Sequence, residues 1–329
     1  MADNEWTADL STDGGVPVSP TASRDAPHET QLKPLGTLTR AKFALVRGFL
    51  WGWARLFSLG GLYQLGVVFG TCEWLCDYKR RRRVRQRVDE IFADRNDAPP
   101  AGRVVRRQFI RSRCDKLLYL VFDKIPKDKI LARLEFRGEP DVKRALAKGR
   151  GAAVVMAHFG PHHLAFLLTA LLGYRMIGVR DRKEGSLRRY VQEQLEKSFP
   201  EYRAVRWFYV DDYPRELFRS LREGYVLSSA LDVSPTRGGN ASTTTVRIFG
   251  KEQAFRDGTM RLAARRGAPV MQAYIVARPN YRFQLSVTPP LIDGAPGEVD
   301  EDVITAAMQQ YADNVERHAR RHPCHLSRF

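Results

Sequence analysis

Three histidines, His158, His162 and His163, fall within six residues in the stretch Val155-Met-Ala-His-Phe-Gly-Pro-His-His-Leu164. An apolar run, Ala152 to Ala157, leads into the first of them. A Phe-Gly-Pro turn and an apolar segment carrying Leu164, Phe166, Leu167 and Leu171 follow it. Histidine exchanges a proton near neutral pH, and one held at the mouth of a strand–turn–helix unit is placed to act as a general base. Metal ligation is the other chemistry that histidines invite. On a helix the adjacent residues 162 and 163 point about 100° apart, so they cannot both face one ion together with His158. No metal or organic cofactor is expected. Cys72, Cys76, Cys114 and Cys324 lack the spacing of a zinc knuckle or a redox motif and read as reduced, structural thiols in a reducing compartment.

These residues need a scaffold, and the pattern around them is α/β. A buried strand is expected over Ala152–Ala157, and further strands over Arg175–Val179, Ala204–Val210, Tyr225–Leu231, Thr244–Phe249, Pro269–Ala277 and Phe283–Val287. Helices are expected over Arg106–Phe122, Val142–Lys148, a segment opened by Pro161 in its first turn, Ser186–Ser198, Tyr213–Glu223, Gly258–Arg266 and Val303–Arg321. Alternation of this kind predicts a mostly parallel central sheet flanked by helices. Asp232 closes the strand that ends at Leu231, where it can bind substrate or cap the following loop.

The N-terminal part is different. Residues 1–38 are polar and read as a disordered tail. From Ala41 to Cys76 the chain is apolar and aromatic, with a charge-free stretch from Leu56 to Cys72 that is marginal for a spanning helix, which needs about 20 residues. Lys42, Arg47 and Arg55 recur among the aromatics, as in an interfacial helix whose basic side chains snorkel to phosphates. A buried core helix pair is the competing reading. The run Lys79-Arg-Arg-Arg-Arg-Val-Arg-Gln-Arg87 follows directly, and such a run is drawn to anionic lipid and to the cytoplasmic face. The organisation expected is a tail (1–38), a membrane-anchoring segment (39–92), a linker at Ala98-Pro-Pro-Ala-Gly102 and an α/β domain within 93–329. The net charge of +17 favours an anionic partner. Nucleic acid is not expected, because no recognisable module and no aromatic–basic alternation accompany that charge.

The ordered motifs now point to a family. Residues 138–164, with Gly138-Glu-Pro-Asp-Val142, Ala145-Leu-Ala-Lys-Gly-Arg-Gly151 and His158-Phe-Gly-Pro-His-His-Leu164, resemble the lysophospholipid acyltransferase superfamily, and most of all its lipid A late acyltransferase (lauroyl and myristoyl transferase) branch. Asp232, Val246-Arg-Ile-Phe-Gly250, Asp257-Gly-Thr259, Leu262-Ala263, Gly267-Ala-Pro-Val270 and His322-Pro-Cys-His-Leu326 are similar to later landmarks of that branch, in order, over about residues 45–329. The resemblance implies an acyltransferase at the cytoplasmic face of an inner membrane. It implies transfer of a fatty acyl group from a thioester, on acyl carrier protein or coenzyme A, to a lipid or glycolipid hydroxyl. An acidic carrier suits the positive charge. It also places Phe159, Gly160, Arg180, Asp232, Gly250 and Arg256 along substrate, with Arg180 facing phosphate.

The same resemblance implies a dyad in which a histidine takes the hydroxyl proton and an acid five residues later orients it. His158 fits the first role, but the fifth position is His163. A neutral His163 can fix the tautomer of His158 and cannot supply negative charge. Three readings stay open: a working His158–His163 pair with a further carboxylate such as Asp232 nearby, a changed reaction on the same scaffold, or an inactive lipid- or carrier-binding homologue.

Overall fold

The computed structural model describes residues 35–180, 184–209, 215–232, 242–295 and 300–326. The expected tail therefore lies outside the described residues, apart from its last four. The helices are α1 (Thr37–Cys76), α2 (Tyr78–Ile91), α3 (Ala101–Val121), α4 (Lys127–Leu131), α5 (Glu139–Ala147), α6 (His162–Leu171), α7 (Ser186–Ser198), α8 (Pro200–Arg203), α9 (Arg215–Arg222), α10 (Gly258–Arg265) and α11 (Glu301–Arg321). The strands are β1 (Leu134–Arg137), β2 (Ala152–Met156), β3 (Met176–Arg180), β4 (Arg206–Tyr209), β5 (Val226–Ala230), β6 (Thr243–Ile248), β7 (Lys251–Arg256), β8 (Val270–Arg278) and β9 (Arg282–Val287).

Seven strands form the central sheet in the order β1-β9-β8-β2-β5-β3-β4. Only β8 and β9 run antiparallel; every other pairing is parallel. Strand β2 sits in the middle and is apolar throughout, as a strand covered on both faces must be. Its alternate residues feed two cores. Ala152 and Val154 join the layer under α1, α5, α6 and α7, while Ala153 and Val155 join the layer under α2, α10 and α11.

Three sequence expectations need correction. The segment over Thr244–Phe249 is half of a hairpin: β6 pairs with the unforeseen β7 in a separate two-stranded sheet. Strand β1 was not expected either; with four residues of alternating burial, it carries little periodic signal. Pro161 precedes the first turn of α6 rather than lying in it.

No helix among the described residues is long and apolar enough to cross a membrane. Helix α1 bends at Ser58, whose backbone (φ 62°, ψ 177°) is non-helical. Its second half packs closely on α3. Gly66 and Gly70, one turn apart, leave no room for side chains: a Cβ on Gly66 would stand 2.7 Å from Cys114 Sγ, and one on Gly70 would stand 2.4 Å from Ile110 Cα. In the first half, Phe43 and Leu50 enter the core. Arg47, expected to reach lipid phosphate, instead pairs with the buried Asp123. In α2, Arg80, Val84, Val88 and Ile91 form the buried stripe, and the Arg80 guanidinium lies over the Phe109 ring and bonds Glu73 and Ser112. Lys79, Arg82, Arg83 and Arg85 of the basic run are thus the outer face of an amphipathic helix, while Arg80 faces inward.

Candidate active site

Strands β2 and β5 are in parallel register, with Met156 opposite Ala230. Two more residues on each strand bring His158 opposite Asp232, both beyond the C-terminal edge of the sheet, where open α/β sheets hold their ligands. The ladder carries on into this extension: Leu231 N–H donates to Met156 O at 3.1 Å.

Asp232 holds His158 at two points. Its Oδ2 accepts from the His158 backbone N–H at 2.8 Å, and its Oδ1 lies 2.7 Å from His158 Nδ1. A carboxylate oxygen accepts, so this bond places the imidazole proton on Nδ1 and makes Nε2 the basic nitrogen of the ring. The Asp232 side chain is 1% exposed and that of His158 18%, so the carboxylate is buried and the imidazole is reachable. Behind the pair, Tyr311 donates its hydroxyl to Met156 O at 3.0 Å. Burial and the nearby Asp232 carboxylate hold the Tyr311 phenol well above its usual ionisation range, so it stays a neutral donor.

The turn after His158 is spent on its own architecture. Phe159 N–H donates to Ala157 O and Gly160 N–H to His325 O, each at 2.7 Å. Gly160 has φ +60°, and a Cβ there would meet Ile275 O at 2.2 Å, so glycine is required. The Phe159 ring is buried, edge-on to His318 and Tyr274 and stacked on His325. Phe159 and Gly160, expected along substrate, shape the turn; the aromatic side chain belongs to the core.

His163, expected as the partner of His158, opens α6 beside His162. The rings form a row: His158 lies 4.8 Å from His162, His162 3.9 Å from His163, and His163 6.2 Å from Tyr119 of α3. The only carboxylate bonded to His158 among the described residues is that of Asp232. Among the described residues no three histidine, cysteine or acidic side chains are grouped so as to hold a metal ion.

The remaining expected residues divide. Arg256 ends β7, and its backbone N–H donates to Leu231 O at 3.2 Å, which brings it next to Asp232 along the chain path. Gly250 does not come to the site. With Phe249 it forms the two-residue turn of the β6–β7 hairpin, both at positive φ, and Phe249 N–H is taken by Glu316 of α11. Arg180 is the last residue of β3, in register with Tyr209; its side chain lies outside the described residues. The loop after Asp232, residues 233–241, lies outside them as well.

Sequence reasoning missed Tyr311, behind the His158–Asp232 pair, and Tyr119, at the far end of the histidine row. The signal for Tyr119 is its helical spacing from Gln108 and Arg111, which bond Leu326 O and Cys324 O, so one face of α3 runs along this end of the sheet.

Comparison with known proteins places residues 34–325 of the chain on the family of bacterial lipid A biosynthesis acyltransferases. No curated protein matches the chain.

Proposed function

Because the chain belongs to the bacterial lipid A biosynthesis acyltransferase family, we propose that it moves a fatty acyl group from a thioester to the hydroxyl of a lipid or glycolipid, with His158 as base and Asp232 as the acid of its dyad. The observation that carries this reading is the doubly bonded Asp232 carboxylate on His158. Nε2 of His158 takes the acceptor's proton as its oxygen attacks the thioester carbonyl. Asp232, already on Nδ1, steadies the imidazolium that forms. When the tetrahedral adduct collapses, the C–S bond breaks and the imidazolium returns its proton to the departing thiolate. The ester and the free thiol are the products, and no redox partner is needed.

The dyad acid thus comes from the adjacent strand rather than from the first turn of α6. There His163 packs against Tyr119 and His162. The donor reading, acyl carrier protein or coenzyme A, is supported by the net charge of +17.

Membrane association is supported by an apolar stripe on α1. Leu38, Leu45, Phe49 and Leu56, at intervals of seven, four and seven, recur on one helical face and are exposed, Leu45 by 77%. Exposed Lys79, Arg82, Arg83 and Arg85 of α2 follow. Such a surface suits lying on a bilayer without crossing it, and the positive side chains support a place at the cytoplasmic leaflet of the inner membrane.

The test is lipid mass spectrometry of cells with the protein, without it, and with His158→Ala. A lipid one acyl chain heavier should appear only with the wild type. If His158→Ala restores that lipid as well as the wild type does, the assignment of the base is wrong.

A further inference from the structure

A cavity of about 840 Å³ lies apart from the dyad, between the segment after α2, the first turns of α3 and the last turns of α11. Its volume is that of a small-molecule site. Six arginines reach it: Arg95, Arg103, Arg107, Arg317, Arg320 and Arg321. Three have work within the protein. Arg95 pairs with Asp97, Arg320 with Asp94 and Glu316, and Arg317 donates to Asn314. The other three do not. Among the described residues, the side chains of Arg103, Arg107 and Arg321 make no hydrogen bond or ion pair.

On a convex surface, unpaired arginines spread into water. Here two helices aim them into one hollow. Arg103 and Arg107 are one turn apart on α3, and Arg321 ends α11 facing them across a floor that includes Phe92, Val104 and Pro323. No side chain caps the N-terminus of α3, which adds its own positive end to the same place. Burial and Arg321 lower the pKa of His322 on the rim, as expected beside a concentration of positive charge. Asp97, Asp313 and Glu316 also line the hollow, but Arg95, Arg320 and Gln309 engage them, so the arginines leave it net positive; an anion that fills the space is stabilised, and guanidinium forks fit phosphate oxygens in pairs.

We propose that this arginine cavity binds a phosphate-bearing ligand, the size of a nucleotide or of a lipid headgroup. The proposal does not rest on acyl transfer. The cavity is nevertheless tied to the dyad's turn by one short segment. Cys324 lines it, the His325 carbonyl accepts from Gly160 N–H, and Leu326 pairs with Phe159, the residue after His158.

The test uses the full-length protein with two soluble probes, inorganic pyrophosphate and adenosine 3′,5′-bisphosphate, by calorimetry at fixed salt. A third probe is phosphatidylcholine vesicles with and without phosphatidylglycerol, by co-sedimentation. The variants are Arg107→Gln, Arg321→Gln and, as a control elsewhere on the surface, Arg222→Gln; His158→Ala separates binding from catalysis. Saturable binding of a soluble probe, weakened at least tenfold by Arg107→Gln and Arg321→Gln and unchanged in Arg222→Gln and His158→Ala, supports a soluble phosphate ligand. If neither soluble probe binds but the preference for phosphatidylglycerol is lost in the two cavity variants, the phosphate comes from a lipid headgroup. If the cavity variants bind every probe as the wild type does, or no probe binds, the proposal is overturned.

Discussion

His158 and Asp232 stand 74 residues apart in the chain and 2.7 Å apart in the fold. Three histidines on the C-terminal side, His318, His322 and His325, are disfavoured in their protonated form by burial. Burial pushes His318 down to about 3, and it also lowers His322 and His325. An unfolded histidine takes up its proton near pH 6.5. Between pH 6.5 and about 3 the unfolded chain therefore holds a proton that folded His318 lacks, and stability falls as pH falls, by about 1.4 kcal/mol per pH unit for each such group. Above pH 6.5 the group contributes no slope. His318→Phe keeps an aromatic ring against Phe159 and Tyr274 and should move the acid-unfolding midpoint, followed by circular dichroism, to lower pH. An unchanged midpoint would show that His318 does not carry the acid sensitivity. His158 was legible in the sequence because its neighbours announce a strand end and a turn. Asp232 could be named there only as one candidate carboxylate, because nothing in residues 145–164 says which later strand pairs with β2. Asp232 was visible as a strand-end acid, and only the β2–β5 register turns it into a partner.

The elements were legible where periodicity was long. The strands that became β2, β5 and β8, and the long helix α11, came out close to their observed bounds. The hairpin partner β7 was hidden because Lys251-Glu-Gln-Ala-Phe-Arg256 is exposed over its first three residues and lacks an apolar repeat. The apolar stretch in α1 reads alike as anchor or core, since both bury apolar side chains; it takes Gly66 and Gly70 against α3 to show that half of it is packing surface. Gly70→Ala forces a methyl group against the Ile110 backbone and should cost about 1–3 kcal/mol. The expected reading is a lower denaturant midpoint with an unchanged m-value. Wild-type stability in this variant would mean that α1 and α3 do not approach as described. Gly160→Ala, with both a positive φ and Ile275 O in the way, should disturb the turn after His158 and lower activity more than stability. An activity loss matched by an equal loss of folded protein would contradict that.

At the scale of the whole molecule, charge and apolar exposure occur together. The chain is strongly basic, and α1 with its exposed apolar stripe is followed in the sequence by the basic outer face of α2. Removing α1 would open the core, since Phe43, Leu50 and Leu62 belong to it, so surface substitution is the cleaner probe. Leu45→Glu with Phe49→Glu changes two exposed side chains and should leave the fold intact. It should cut co-sedimentation with anionic vesicles by tenfold or more, because each loses apolar insertion and adds repulsion. Vesicle binding equal to the wild type would show that this stripe is not the membrane-facing surface.

The account turns on which residue serves as the acid for His158. Turnover of purified Asp232→Asn and His163→Gln, measured with acyl carrier and acyl-coenzyme A donors against the lipid that the mass-spectrometric comparison identifies, tests it most directly. Asp232→Asn keeps the shape and removes the charge, and the expected loss is on the order of 10³–10⁴ in rate, as when a triad loses its acid. His163→Gln should stay within a few-fold of wild type. Near-normal turnover in Asp232→Asn together with a collapse in His163→Gln would contradict the assignment and return the role to the histidine pair.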